Sequence, residues 1–203
     1  MKIQQLLLNV SSLWLLMLLL NFAFGDDELI TEEQHLRIIN QFRRDYAKKF
    51  NVPNMHELKL DKNLRDYAAD RVITQMGWDS DRRKSWRFTL HPSHWSQKKL
   101  NEFLASLSMK SKKEILESVI QREDSTDFGT MEYELIIPGQ KTMGCVVKDG
   151  GLAITTHDGQ HGMAMLLCLF GPEGYLATFY EASGPPGSKC DEGYHNKDGL
   201  CGL

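Results

Sequence analysis

All four cysteines of this chain fall in its last third, at Cys145, Cys168, Cys190 and Cys201. That placement constrains the fold more than any other feature of the sequence. In an oxidising compartment an even count reads as two disulfides, so the C-terminal part must bring these positions together in pairs. Three pairings are open on paper. Cys145 and Cys168 lie in two β-prone runs, where a bridge would tie a sheet together. Cys190 and Cys201 bracket a short loop, where a local clasp is natural. Closing a loop of that size contributes about 2–3 kcal/mol in the chain-entropy picture. Spacing therefore favours Cys145–Cys168 together with Cys190–Cys201.

The other end of the chain supplies the compartment. Met1-Lys2 is a short positive start, Leu6 to Leu20 is mostly apolar and uncharged, and Ala23-Phe24-Gly25 sets small residues at a cleavage site. That layout predicts a secretory signal over 1–25, removed after Gly25. Lys2 is its one basic residue and it holds no acid. The remainder then carries 23 basic against 27 acidic residues, a net −4 against −3 for the whole chain. Such a balance argues against a nucleic-acid partner, which needs a concentrated positive face. After the signal no stretch is apolar enough to form a stable membrane span. The N-x-S sequon at Asn9 lies inside the signal, so N-glycosylation is not expected.

The rest divides into a helical half and a strand-rich half. Thr31 with Gln34 makes a capping box, and Leu36, Ile39, Phe42, Tyr46 and Phe50 recur at helical spacing until Asn51-Val52-Pro53-Asn54. Asp61 can cap a second helix with Leu64, Ala68, Val72 and Met76 in one stripe. A third covers Gln97 to Ser108, and Ser111 with Glu114 forms another box. Past about Asp124 the period changes. Tyr133 to Ile137, Thr142 to Val147, Leu152 to Thr156, Met163 to Phe170 and Tyr175 to Tyr180 read as strands, with Asp149-Gly150-Gly151 as a turn. Helices followed by a meander predict an α+β domain with an antiparallel sheet over 26–183. A short disulfide-closed tail follows over 184–203.

Taken in order, these segments resemble the CAP superfamily: the cysteine-rich secretory proteins, antigen 5 and the pathogenesis-related proteins, sharing the SCP domain. Asn40-Gln41-Phe42-Arg43 is similar to the family's H-N-x-x-R, with Ile39 in place of His. Pro53 to Asp61 is similar to N-M-x-x-L-x-W-D, with Leu60 for Trp. Met143-Gly144-Cys145 resembles V-G-C, and Leu167 to Gly174 resembles V-C-N-Y-G-P-x-G, with Leu169 for Asn and Phe170 for Tyr. Tyr180-Glu181, Gly187 to Cys190 and Gly199-Leu200-Cys201 resemble the opening and end of the family's hinge, in reduced form. The resemblance implies a three-layer α-β-α sandwich around an antiparallel sheet, and also a Cys145–Cys168 bridge.

The family's cleft often carries two His and two Glu, sometimes with a divalent metal. One His belongs to G-H-Y-T-Q-x-V-W. Counted back from Cys145, that segment falls on Thr130 to Ile137, with Met131 at the His and Glu134 at the Gln. Methionine cannot stand in for imidazole on a metal such as Zn²⁺. No G-E-N-L is present, and His91 or His94 aligns only loosely with the second His. The cleft is therefore expected to be vacant, with no catalytic residue and no cofactor.

Other chemistry is sparse. His157 and His161 are four apart in a Gly-rich loop, where that spacing has no helical meaning; they are the first pair to test for metal, against solvated loop histidines as the ordinary reading. The same holds for His91 and His94. No G-x-S-x-G elbow exists. The charged run Asp79 to Arg87 reads as a solvated loop, ahead of a contact for an acidic partner or glycan, and Trp78, Trp86 and Trp95 are either exposed binding anchors or core fillers, between which periodicity does not choose. The expectation is a secreted, extracellular, non-enzymatic binding protein for a lipid, a sterol or a protein receptor. The alternatives are a metal-dependent hydrolase on the same scaffold, or an unrelated secreted α+β binding module.

Overall fold

A computed structural model describes residues 30–70, 86–91, 97–111, 113–115, 117, 134–155, 161–174, 177–181 and 183–203. The segment expected as a signal, the Asp79–Lys84 run, Trp78, Trp95, His94, Met131 and His157 lie outside these residues.

The first helix, α1 (Glu32–Phe50), begins where its caps place it. The Gln34 backbone N–H donates to the Thr31 hydroxyl, and the Gln34 side chain accepts from the Thr31 N–H. Glu32 and Glu33 complement the positive helix start, and Lys48 and Lys49 the negative end. Asn51 ends the helix in the left-handed region at φ 54°, as asparagine tolerates. Its inward stripe holds Ile39, Phe42, Tyr46 and Ala47, and also the polar residues His35, Asn40 and Arg43.

A four-stranded sheet runs β1 (Lys59–Leu60), β3 (Thr142–Thr155), β4 (His161–Gly171), β2 (Arg87–His91). The expected sheet was antiparallel throughout; it is mixed, because β1 pairs parallel with β3 at Thr142 and Met143. The other pairings are antiparallel. Period-2 alternation sorts the side chains into two faces. Met143, Cys145, Leu166, Cys168 and Phe170 pack in one cluster with α1 and with Leu100, Leu104 and Leu107 of α3 (Gln97–Ser108). Leu167 and Leu169 pack in the other with Ala68 of α2 (Lys62–Asp70), Trp86, Phe88 and Val146. Burying each large apolar side chain contributes about 1.5–3 kcal/mol. Helix, sheet and helix thus form three layers.

Asp61 caps α2, accepting from the Asn63 and Leu64 N–H groups, while its own N–H donates to the Met143 carbonyl at 2.8 Å. The helix start therefore presses on β3 where Gly144 sits. A Cβ there would meet the Arg65 N and lie 2.7 Å from the Asp61 carbonyl.

Several expectations are corrected. Tyr133 to Ile137 was expected as a strand, yet Glu134–Ile136 is a 3₁₀ turn. Tyr175 to Tyr180 was read as a strand, and Ala177–Tyr180 is also a 3₁₀ turn. Gly150 and Gly151, at φ +77° and +71°, do not reverse the chain; they sit in a register shift within one long β3. Arg87 belongs to β2, not to a solvated loop, and Trp86, left open between surface and core, is buried. The tail forms its own hairpin, β5 (His195–Lys197) with β6 (Leu200–Gly202).

Both disulfides follow the pairing that spacing favoured. Cys145–Cys168 joins directly opposed residues of β3 and β4, and Cys190–Cys201 closes the tail. No helix among the described residues is long and apolar enough to cross a membrane.

Candidate functional site

The N-x-x-R element on α1 organises the loops packed against it. Asn40 bonds Leu58 twice, donating to its carbonyl and accepting from its N–H, both at 2.8 Å. Arg43 is fully buried and donates to five carbonyls: His56, Leu135, Ile137, Pro138 and Gln140, at 2.8–3.3 Å. Burial pushes the guanidinium down to about 9, with Glu173 acting against the shift, so it stays charged at neutral pH. A charged donor surrounded by carbonyls satisfies a turn that a sheet ladder does not.

That turn delivers Glu134. Its carboxylate is 1% exposed, and Oε1 accepts from Arg87 Nε at 2.7 Å. Arg87 Nη1 also reaches the Gly174 carbonyl at 3.4 Å. The turn, β2 and the Gly-Pro-Glu-Gly loop are therefore tied at one point. Beside it, Gln140 and Glu173 exchange hydrogen bonds, side-chain amide to backbone, at 2.8 and 3.2 Å. The Glu173 carboxylate accepts from the Thr178 N–H at 2.8 Å and from its hydroxyl. Burial raises this carboxyl above its ordinary value, while the Thr178 bonds and Arg87 oppose the shift. Thr178 Oγ1 in turn accepts from the Gly139 N–H.

Further along α1, His35 lies over the sheet disulfide, its Nδ1 3.9 Å from Cys145 Sγ. Glu32 Oε1 accepts from the Cys145 N–H at 3.0 Å. Burial pushes the His35 imidazole down to about 3, so it is neutral. His35, Cys145 and Cys168 form the sole group of metal-donor types gathered among the described residues. They do not fit a metal: thiolate is the ligating form, and both sulfurs are in a disulfide.

Of the residues singled out in the sequence, Glu134 is placed and engaged with Arg87. Met131 and His157 lie outside the described residues, and the backbone of His161 opens β4 opposite Thr155. His91 closes β2 opposite Leu166. Sequence reasoning missed Arg87. The alternation Trp86-Arg87-Phe88-Thr89-Leu90 was the signal for a strand that would turn it inward.

No family model matches the chain, and no curated protein matches it. Solved structures of partial similarity are found at low identity. A hookworm platelet inhibitor shares 15% identity at TM-score 0.49, covering 86% of this chain and 93% of that one. A manganese-bound Ancylostoma-secreted protein shares 16% at 0.46, covering 88% and 92%. A venom allergen-like protein of Schistosoma mansoni shares 16% at 0.37, covering 76% and 97%. At such identities and TM-scores these likenesses assign no role to any residue. In its own motifs, its disulfides and its α-β-α layers, the chain resembles the CAP superfamily.

Proposed function

We propose that the chain is an extracellular binding protein of the CAP type that works without catalysis. Residues 1–25 would direct it into the secretory pathway, 26–183 would form the binding domain, and 184–203 would be a reduced, disulfide-closed hinge. The ligand class is a lipid, a sterol or a protein receptor.

The observation that carries this reading is the Glu134–Arg87 pair. Where the family motif has a glutamine beside its cleft histidine, this chain buries an acid against a guanidinium at 2.7 Å. A carboxylate enclosed at 1% exposure, with Oε1 bonded to a guanidinium, is closed to solvent and already paired in charge, which supports neither an open metal ligand nor a general base that meets substrate. Met131 at the histidine position supports the same reading from the sequence, since a thioether cannot replace imidazole as a base.

The test is a secreted, purified protein taken through two assays in parallel. Extraction followed by lipid mass spectrometry, together with capture of cell-surface receptors, should return a saturable ligand. A panel of ester and peptide substrates should show no turnover above a denatured control. Turnover that disappears in the His157→Ala and His161→Ala variants would establish the metal-dependent hydrolase instead.

A further inference from the structure

The tail is fastened to the domain over a buried histidine. The backbone of Met55 to Glu57 pairs with Cys201: the Glu57 N–H donates to the Cys201 carbonyl at 3.0 Å, and the Cys201 N–H to the Met55 carbonyl at 2.8 Å. His56 lies between, 1% exposed. Its Nδ1 is 3.3 Å from the Pro138 carbonyl, and its Nε2 is 3.4 Å from Asp191 Oδ2, a tail residue. Tyr194, also from the tail, covers the ring edge-on at 4.8 Å.

The surroundings of that ring are crowded with positive charge. Lys141 sits 2.5 Å from the same Asp191 oxygen and 4.8 Å over the Tyr194 ring. Arg43 approaches from α1 and donates to the His56 carbonyl. On its own segment His56 is followed by Glu57, which is part-buried. One carboxylate, itself 53% exposed, is already paired with Lys141, and an imidazolium would be a second cation upon it. A proton on His56 would be buried next to a counter-ion already held by Lys141. Reaching water requires the covering Tyr194 and Asp191 to move.

We propose that residues 190–202 form a pH-released strap, closed over neutral His56 and opened when His56 takes up a proton. The direction of its titration agrees. Burial lowers the His56 value most, Lys141 and Arg43 lower it further, and Asp191 and the Pro138 carbonyl only partly oppose them. Closed, the strap excludes a proton that the open form binds at the ordinary histidine value, so acid favours opening. The device would let a secreted protein present the surface under its tail in an acidified compartment.

Hydrogen exchange resolved at the Glu57 and Cys201 amides, corrected for the intrinsic rate, reads the strap directly. Between pH 7.5 and 5.0 the opening constant should rise several-fold. Its ceiling is about 30-fold, the proton-binding ratio of a histidine with an ordinary pKa near 6.5. His56→Gln should remove the rise. A protection unchanged between the two pH values, or the same rise in folded His56→Gln, overturns the strap. Should that variant fail to fold, NMR titration of the His56 ring in the wild type decides. A midpoint below that of an unstructured histidine supports the strap, and one at or above it refutes it.

Discussion

Glu134 and Arg87 are 47 residues apart in sequence and meet at 2.7 Å, the acid on a 3₁₀ turn and the base on the edge strand β2. Removing the base leaves the acid buried without its counter-ion, which costs about 3–5 kcal/mol. Arg87→Met should lower stability in urea unfolding by that order. Glu134→Gln keeps an oxygen for the guanidinium and installs the residue of the CAP motif, so its loss should be clearly smaller. A larger loss for Glu134→Gln than for Arg87→Met would contradict the pairing.

Gly144 is required by contact with α2, not by backbone conformation. Its Cβ would meet the Arg65 N and the Asp61 carbonyl, both main-chain atoms that cannot swing aside. Gly144→Ala is therefore expected to cost about 1–3 kcal/mol through overpacking. Thermal unfolding measures this, and an unchanged midpoint would show that α2 does not press on β3 there.

Arg43→Lys tests the carbonyl cage. A guanidinium offers five donors in a fixed fork, an ammonium three on a flexible stem. Five carbonyls from His56 to Gln140 lose their shared donor, so stability should fall by about 3 kcal/mol or more. Retained stability in this conservative variant would mean that the turn holds itself without Arg43.

His35 gives a pH dependence of known sign. Burial sets its folded value near 3, below the ordinary 6.5, so the folded state refuses a proton that the unfolded chain accepts. Its contribution is complete above pH 6.5 and is lost progressively as pH falls toward 3. Between pH 6.5 and 4.5 that loss is about 2 kcal/mol. His35→Asn should flatten the acid limb of the stability–pH curve by the same amount. An identical limb in wild type and variant would contradict a buried neutral imidazole.

Much of this architecture could be read from local chemistry. The Thr31–Gln34 and Ser111–Glu114 boxes, the Asp61 cap and the stop at Asn51 depend on neighbours in sequence, and the structure has all four. The disulfide pairing followed from spacing. What was not legible depends on distant partners. Leu135 and Ile137 have strand-like side chains, but their carbonyls turn to Arg43, more than 90 positions away in the chain. Asp79 to Arg87 carries so many charges that its last residue read as solvated, when Glu134 awaits it inside. The two glycines after Asp149 signal a turn, yet their positive φ is absorbed by a bulge within β3. For Glu134 the sequence offered only a motif position, and the guanidinium that meets it lies 47 residues away.

Metal stoichiometry tests the central reading most directly. The purified protein is equilibrated with Mn²⁺ and Zn²⁺, passed through a desalting column and measured by plasma mass spectrometry beside its His157→Ala and His161→Ala variants. A binding protein of the proposed kind, with Glu134 enclosed against Arg87, should retain only trace metal, indistinguishable from the variants. One ion per chain, lost in either variant, would contradict it and place a working metal centre on this scaffold.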